Sequence, residues 1–179
     1  MRIQTVLLLR IALFLGLFLY SIPVSRGLIR YDGDGTLSLF NTHLNESATI
    51  LYRKENGRYS REALSELSHL LRCRLTGEAH EIPVELVELV DTIQDHFGGK
   101  EIQVISAYRS PTLNESLVNA GRKVAKNSLH MQGMAMDIRI PEVSTSDLRN
   151  YALSLKRGGV GFYPGNGFVH VDIGRVRQW

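Results

Sequence analysis

Two short segments in the second half of the sequence alternate between apolar and polar residues, which is the pattern of a β-strand with two unlike faces. In 134–139 (MAMDIR), Asp137 lies on one face, and two Met and an Ile lie on the other. In 168–173 (FVHVDI), His170 and Asp172 share one face, and two Val and an Ile share the other. Each segment therefore predicts a strand that packs one face in a core and carries ionisable groups on the second.

These ionisable groups converge if the two strands are neighbours. Directly opposed residues have Cβ atoms about 4.5–5.5 Å apart, so pairing would bring Asp137, His170 and Asp172 together. His130 can reach them by folding back from a turn at Gly133. Two imidazoles and one carboxylate form a three-ligand set that leaves the fourth position of Zn²⁺ for a catalytic water. A buried, hydrogen-bonded His–Asp pair is the alternative, and the spacing alone leaves both open.

The composition suits one globular domain and excludes a nucleic-acid partner. The chain has 179 residues, of which 44% are hydrophobic and 22% charged. Its formal net charge of +3 is matched by Arg2, Arg10 and Arg26, which lie in an N-terminal stretch without acidic residues. The remainder is neutral and shows no basic stripe, so no nucleic-acid binding is expected.

The first 27 residues are predicted to be a separate apolar segment. A positively charged start leads into an unbroken apolar run over 11–20, as in an export signal or a membrane anchor. Residues 5–24 are about as long as a membrane span, but Arg10 interrupts them. Cleavage after export and retention as an anchor both stay open, and 28–179 is predicted to form a single domain.

The patterns past residue 27 predict an α+β fold in which helices come first and a mostly antiparallel sheet dominates the C-terminal half. Apolar residues three and four positions apart indicate helices, and alternation indicates strands. The predicted helices cover 60–75, 83–99, 111–125 and 144–155, and the predicted strands cover the hairpin 36–53 and the runs 101–110, 134–139, 159–163 and 168–174.

The chain has a single cysteine, Cys73, so an internal disulfide is excluded. It lies in the apolar helical pattern HLLRCRL, which predicts a buried thiol rather than a nucleophile. The domain must therefore be held together by its hydrophobic core.

Four segments together resemble one enzyme family. They are SAYRSP (106–111), SLHMQGMAMDI (128–138), GGVGFYP (158–164) and FVHVDIGRVRQW (168–179). Their sequences are similar to the YcbK-like branch of the M15 zinc peptidases, and the resemblance covers nearly everything past residue 35. The pattern S-x-H-x-x-G-x-A-x-D within the second segment is highly specific.

The resemblance implies a fold shared with D-Ala-D-Ala carboxypeptidases and the Hedgehog signalling domain, an antiparallel sheet with N-terminal helices packed against it. It implies one Zn²⁺ per chain, held by His130, Asp137 and His170. It also implies a murein endopeptidase, which hydrolyses amide bonds in peptidoglycan stem peptides or cross-links. Such an enzyme would work in the periplasm and would touch a membrane only through its N-terminal segment.

Further residues of these segments are candidates for the site. Arg109 follows a β-run at a loop, where a guanidinium can bind a substrate carboxylate or stabilise an oxyanion, unless it only pairs with a surface acid. Ser106 and Ser128 can hydrogen-bond substrate or the ligands, or can act as caps. Tyr108 and Tyr163 can line the cleft or simply pack.

One position departs from the family pattern. Many M15 peptidases have an acidic general base three residues before the second ligand His, and here that position is Gly167. Asp172, on the face of His170, is the predicted replacement base, with orientation of His170 as the alternative. The missing acid also leaves open a non-catalytic module that binds zinc or peptidoglycan. A D,D-carboxypeptidase and an amidase are the other enzymes that the sequence does not separate.

Overall fold

The computed structural model describes residues 33–122 and 124–179. The predicted signal or anchor at 1–27 lies outside these residues and stays a prediction. Within the described part of the chain, no helix is both long enough and apolar enough to cross a bilayer.

Seven strands and four helices make up the regular structure of the described residues. The strands are β1 (Thr36–Asn41), β2 (Glu46–Leu51), β3 (Ile102–Ser106), β4 (Ala135–Arg139), β5 (Gly159–Tyr163), β6 (Phe168–Asp172) and β7 (Arg177–Gln178). The helices are α1 (Arg61–Leu70), α2 (Val84–His96), α3 (Pro111–Asn119) and α4 (Thr145–Leu155).

The seven strands join one sheet in the order β2-β1-β3-β4-β6-β5-β7. The pairs β1–β3 and β5–β7 are parallel, and the other four pairs are antiparallel. The predicted α+β class with a mostly antiparallel sheet is therefore confirmed. The helices are not confined to the start of the domain, because the hairpin β1–β2 precedes α1, and α3 and α4 lie between strands.

Local hydrogen bonds set the ends of α1. Ser60 caps its start by accepting a backbone N–H. The helix predicted over 60–75 already ends at Leu70, and the chain then turns at 73–77, where the Gly77 N–H donates to the Cys73 carbonyl (2.8 Å). Cys73 is buried, as predicted, but it lies in this turn and outside the helix.

The apolar faces of strands and helices share one core. It contains the Leu, Ile, Val and Met side chains of β1, β3, β4 and β6 together with those of α2 and α4. Met136 and Ile138 of β4, and Val169 and Val171 of β6, are at most 1% exposed. Each such side chain stabilises the fold by about 1.5–3 kcal/mol on burial. The other face of β4 and β6 is left for the ionisable groups of the same strands.

Candidate metal centre

The pairing of β4 with β6 places the two predicted ligand strands side by side. Asp137 lies directly opposite His170, and Ala135 lies opposite Asp172. On its other side, Asp137 faces Ser106 of β3. Asp137 and His170 are both buried, so the polar face of these strands is not simply a solvated surface.

His130 comes from a short 3-10 turn, Leu129–Gln132, that precedes β4. Ser128 caps the turn, because its hydroxyl accepts the His130 N–H (3.4 Å). Gly133 ends the turn in the left-handed region at φ +66°. A Cβ atom at Gly133 would lie 2.6 Å from the Glu81 carbonyl oxygen, so the backbone angle and the packing both require glycine. The turn carries His130 back toward the sheet, as the sequence predicts.

Three side-chain atoms meet at one point on this face. His130 Nε2 lies 3.2 Å from His170 Nδ1 and 3.3 Å from Asp137 Oδ1, and the last two atoms are 2.9 Å apart. Tetrahedral ligands about 2.0–2.1 Å from zinc are about 3.3–3.4 Å from one another, so the triangle fits this ion after a small adjustment. The spacing of these three side chains therefore suits a metal ion.

Hydrogen bonds behind the two imidazoles determine which nitrogen of each ring is free. His130 Nδ1 lies 2.8 Å from the Ala107 carbonyl oxygen, which can only accept, so Nδ1 carries the proton. His170 Nε2 lies 3.0 Å from Asp172 Oδ2, a carboxylate oxygen that also accepts. Each ring therefore directs a lone pair at the shared point, which is the tautomer that a metal ligand needs.

The charges at this point favour a bound cation. Burial alone would raise the pKa of Asp137, but the imidazoles of His130 and His170 lower it well below its usual range. Burial would lower the pKa of His170, but its hydrogen bonds to Asp137 and Asp172 raise it. Two imidazole lone pairs and a carboxylate oxygen within 3.3 Å repel one another unless a proton or a metal ion lies between them. Two nitrogens and one oxygen are a donor set that fits zinc.

Asp172 lies behind His170, away from the point where the three atoms meet. It is fully buried and accepts hydrogen bonds from the N–H groups of Gly159 and Gly174 and from both terminal nitrogens of Arg177. Burial would raise its pKa, but the bonds from His170, Arg177 and the glycines lower it well below its usual range. A carboxylate with both oxygens occupied and no surface in the cleft is poorly placed to take a proton from water. This geometry favours the orienting role of Asp172 over the predicted general-base role.

Arg109 is buried beside the metal centre and lines the same cleft. Its terminal nitrogens contact Ser106 Oγ (3.2 Å) and Asn114 Oδ1 (3.4 Å), and one of them lies 3.8 Å from Asp137 Oδ2. Burial lowers the pKa of Arg109, while the charge of Asp137 acts in the opposite direction. The Arg109 backbone N–H donates to the His130 carbonyl (3.1 Å). The SAYRSP segment therefore supports two of the three candidate ligands.

The structure brings only some of the other predicted residues to the cleft. Ser128 and Tyr163 line it, and Ser128 also has the capping role that was its alternative. Ser106 does not line it, and its hydroxyl accepts a hydrogen bond from Arg109. Tyr108 is also outside the cleft lining, with its ring stacked on His80 at a centroid distance of 4.7 Å.

The cleft in front of the metal centre has a volume of about 390 Å³. Seven of its lining residues were not predicted from the sequence, and four of these seven have polar or aromatic side chains, namely Asn127, Phe168, Arg177 and Trp179. The alternation in β6 already placed Phe168 on the face of His170, so this residue could have been found. The ring centroid of Trp179 lies 5.1 Å from that of His170. The only sequence signal for Trp179 was its place in the segment 168–179, which resembles the peptidase family.

Gly167 has a backbone conformation that suits glycine better than an acidic residue. It follows the turn Pro164–Asn166 at φ +68°, where an L side chain costs about 1–2 kcal/mol. Among the described residues, Asp137 is the only carboxylate that lines the cleft. The usual position of the general base is therefore one where this backbone favours glycine.

A second group of acidic side chains, Asp34, Asp91 and Asp95, has oxygens within 4.8 Å of one another. Asp91 accepts from the Tyr52 hydroxyl (2.6 Å) and the Gly35 N–H (3.0 Å), and Asp95 accepts from the Asp34 N–H (2.7 Å). These bonds attach the segment before β1 to α2, which gives the group a structural role.

Comparison with known proteins relates nearly all of the described chain to one family. A family model described as Peptidoglycan L,D-endopeptidase MepK (Peptidase_M15_2) matches residues 32–179. The chain is 38% identical over 144 residues to the peptidoglycan L,D-endopeptidase MepK of Escherichia coli (strain K12), covering 80% of this chain and 79% of that protein. It is 40% identical over 123 residues to a probable peptidoglycan L,D-endopeptidase MepK of Haemophilus influenzae, covering 68% of this chain and 66% of that protein.

Proposed function

Because the chain belongs to the peptidoglycan L,D-endopeptidase MepK family of the M15 peptidases, we propose that it hydrolyses peptide bonds in the stem peptides or cross-links of peptidoglycan. It is thus a hydrolytic enzyme of cell-wall remodelling. The names of its relatives support an L,D bond as the one that is cut. The observation that carries the reaction is the convergence of His130 Nε2, Asp137 Oδ1 and His170 Nδ1 within 3.3 Å.

One Zn²⁺ per chain is proposed to be held by His130, Asp137 and His170. Their spacing, their outward-facing lone pairs and their donor chemistry support this assignment. When bound, zinc lowers the pKa of a water molecule and polarises the carbonyl that the water attacks. The chain itself contributes three ligands in fixed orientations and a cleft that holds the substrate.

The surrounding residues orient the ligands and set the charge of the cleft. Asp172 holds His170, and Arg109 lies close to the second oxygen of Asp137. Arg109 and Arg177 both line the cleft, although Arg177 pairs with the buried Asp172 behind His170. Together with a bound zinc ion, these cations would attract a substrate rich in carboxylates, as peptidoglycan stem peptides are. Binding of a substrate carboxylate by Arg109 remains part of the proposal.

The fold and the location follow the same proposal. Family membership and the mixed, mostly antiparallel sheet support the Hedgehog and D-Ala-D-Ala-peptidase-like fold for residues 28–179. Peptidoglycan lies in the periplasm, so the proposed substrate implies a periplasmic enzyme. Residues 1–27 would then serve as its export signal or as an anchor in the inner membrane.

The test is digestion of defined muropeptide dimers by the purified protein. We expect one zinc per chain by elemental mass spectrometry. Dimers joined by an L,D bond (3→3) should become monomers, dimers joined by a D,D bond (4→3) should stay intact, and a chelator should stop the reaction. Release of a terminal D-Ala would instead indicate a D,D-carboxypeptidase, and release of a whole stem an amidase. Bound zinc without any cleavage would indicate the non-catalytic binding module. The observation in favour of that alternative is that no carboxylate other than Asp137 lines the cleft among the described residues.

A further inference from the structure

Tyr163 is the cleft residue whose chemistry the proposed metal centre leaves unused. It ends β5 and lines the cleft together with all three candidate ligands. Its ring stacks on Phe168, with centroids 4.7 Å apart and planes 22° apart. The ring therefore has a defined position at the wall of the cleft, where a side chain can meet the substrate.

A second aromatic residue determines what the Tyr163 hydroxyl can do. The Tyr163 oxygen accepts a hydrogen bond from Nε1–H of Trp179 (2.8 Å). An indole nitrogen only donates, so this bond uses a lone pair of the oxygen and leaves the phenolic proton free. Within the part of the chain that the structure describes, this proton has no acceptor. It is available to a ligand in the cleft.

The backbone and the ring of Trp179 are held by separate contacts. Its backbone N–H and carbonyl pair with Val160 and Phe162 of β5 at 3.3 and 2.9 Å. The guanidinium of Arg177 lies over its ring at 4.9 Å from the centroid. Gly161 provides the space, because a Cβ atom there would come within 2.7 Å of the indole. These contacts hold the indole beside Tyr163, although 49% of Trp179 is exposed.

Arg109, the cationic donor beside the candidate ligands, has a side-chain partner for each terminal nitrogen, and its Nε is buried without a partner among the described residues. Its terminal nitrogens contact Ser106 and Asn114 and approach Asp137, and only 6% of the residue is exposed. A hydrogen-bond donor to the carbonyl oxygen would add to the polarisation that a bound zinc ion supplies, because negative charge develops on this oxygen in the transition state. Tyr163 can supply that donor without breaking an existing hydrogen bond.

We propose that Tyr163 is a catalytic residue that donates a hydrogen bond to the scissile carbonyl oxygen, and that Trp179 is the residue that positions it. The inference rests on the proposed peptidase function.

The water oxygen bonds to the carbonyl carbon while the C=O π electrons move onto the carbonyl oxygen. Collapse then breaks the C–N bond, the amine takes one proton of the water, and the other proton leaves the new carboxyl group to solvent. Tyr163 keeps its own proton throughout.

The test is a double-mutant cycle with Tyr163→Phe, Trp179→Phe and the double variant, assayed on the dimer that the wild-type protein cleaves. Tyr163→Phe should lower kcat about 100-fold with little change in KM, which is the usual effect of losing one oxyanion donor. Trp179→Phe should lower kcat about fivefold, as expected for one neutral hydrogen bond. In the Tyr163→Phe background, Trp179→Phe should have no further effect, because the two residues act through one hydroxyl. Tyr151→Phe, which removes a hydroxyl outside the cleft lining, is the matched control and should match wild type.

Two readouts are independent of activity. Zinc content should equal that of the wild type in every variant, because none of the substituted residues is a proposed ligand. Trp179 is the only tryptophan of the chain, so its fluorescence reports the bond directly. Tyr163→Phe should change the emission of this half-exposed indole, because water replaces the phenolic oxygen as the acceptor of its N–H.

The outcomes separate this inference from the function on which it rests. A wild-type protein that cleaves while Tyr163→Phe keeps kcat within twofold would overturn the inference alone. The same holds if Trp179→Phe costs the same factor in both backgrounds, if the emission is unchanged, or if Tyr163→Phe loses zinc. A wild-type protein that binds zinc but cleaves no dimer would overturn the proposed function and this inference together.

Discussion

Each candidate ligand is oriented by a group that does not itself reach the shared point. The Ala107 carbonyl holds His130, the Asp172 carboxylate holds His170, and the Arg109 guanidinium lies beside Asp137. Such outer partners fix the tautomer and direction of the ligands and thereby tune the affinity for metal. Single side chains can therefore be tested for two separable effects, loss of a ligand and loss of its orientation.

Replacing either ligand histidine should remove the metal and leave the fold. For His130→Ala and His170→Ala we expect no stoichiometric zinc and no activity, because two ligands hold the ion far less tightly than three. Elemental mass spectrometry gives the zinc content, and circular dichroism checks the fold. His69→Ala, an exposed histidine on α1, is the matched control and should keep one zinc per chain. Full zinc occupancy in either ligand variant would refute the ligand assignment.

Asp172→Asn distinguishes the two roles considered for this residue. If Asp172 orients His170, zinc affinity should fall about 10–100-fold, as for other partners of metal-bound histidines. Titration against a competing chelator measures this affinity. If Asp172 were instead the general base, Asp172→Asn would lower kcat and leave the zinc affinity unchanged. Asp147→Asn, the same change at an exposed position of α4, serves as the control.

The ligands could be predicted from sequence, but their aromatic neighbours could not. Alternation fixes which residues of a strand share a face, so Asp137 and His170 followed from the pattern together with one assumption, that the strands are neighbours. Trp179 is different, because β7 reaches the site by pairing in parallel with β5, and no local pattern in two residues predicts that pairing. The sequence left cleft lining and packing both open for Tyr108 for a related reason, since its stacking on His80 is a contact between distant segments.

Among the secondary-structure elements, the 3-10 turn Leu129–Gln132 is the one on which the site depends most directly. It carries the first candidate ligand, His130, directly before β4, and it ends at Gly133, whose backbone has a left-handed conformation. Elements with clear periodicity were predicted well in position, whereas their ends were not. The helix α3 was expected over 111–125 and stops at Asn119, since Gly121 at φ +70° turns the chain away. Buried side chains in the turn after a helix, such as Cys73 after α1, extend the apolar pattern beyond the last helical residue, so the pattern predicts a helix that is too long.

Gly133→Ala should weaken zinc binding through this turn. The substitution adds a backbone cost of about 1–2 kcal/mol and a Cβ atom 2.6 Å from the Glu81 carbonyl, so the turn must shift and carry His130 with it. Gly77→Ala is the matched control, because Gly77 has a similar angle, φ +71°, with no atom within 4 Å of the added Cβ. Urea unfolding should show a loss for both variants, and chelator competition should show weaker zinc binding for Gly133→Ala alone. Equal zinc affinity in the two variants would contradict this role of the turn.

Over the domain as a whole, one buried acid links stability to pH away from the metal centre. Burial raises the pKa of Asp91 to about 6, although hydrogen bonds from Tyr52 and Gly35 act against the rise. In the unfolded chain this carboxyl ionises near its ordinary value of 3.8. The folded state therefore holds the proton more tightly, so stability is highest below the ordinary pKa and is lost as pH rises toward 6.

Asp91→Asn should remove this pH dependence, because the amide resembles the protonated acid. Relative to wild type, the free energy of unfolding of the variant should rise between pH 4 and pH 7 by up to about 3 kcal/mol, the equivalent of the pKa difference. Urea denaturation at a series of pH values measures it, with Asp147→Asn as the exposed control. A constant difference between variant and wild type over this range would contradict the raised pKa.

The direct opposition of Asp137 and His170 also has a consequence for how the chain reaches its native state. The ligands come from positions up to 40 residues apart, so the ion can be captured only after β6 has docked on β4. A slip of one residue would turn His170 into the core and a valine toward Asp137. A bound ion stabilises only the chain that has paired correctly. If zinc binds as proposed, it would favour the correctly aligned strand pair over a misaligned one.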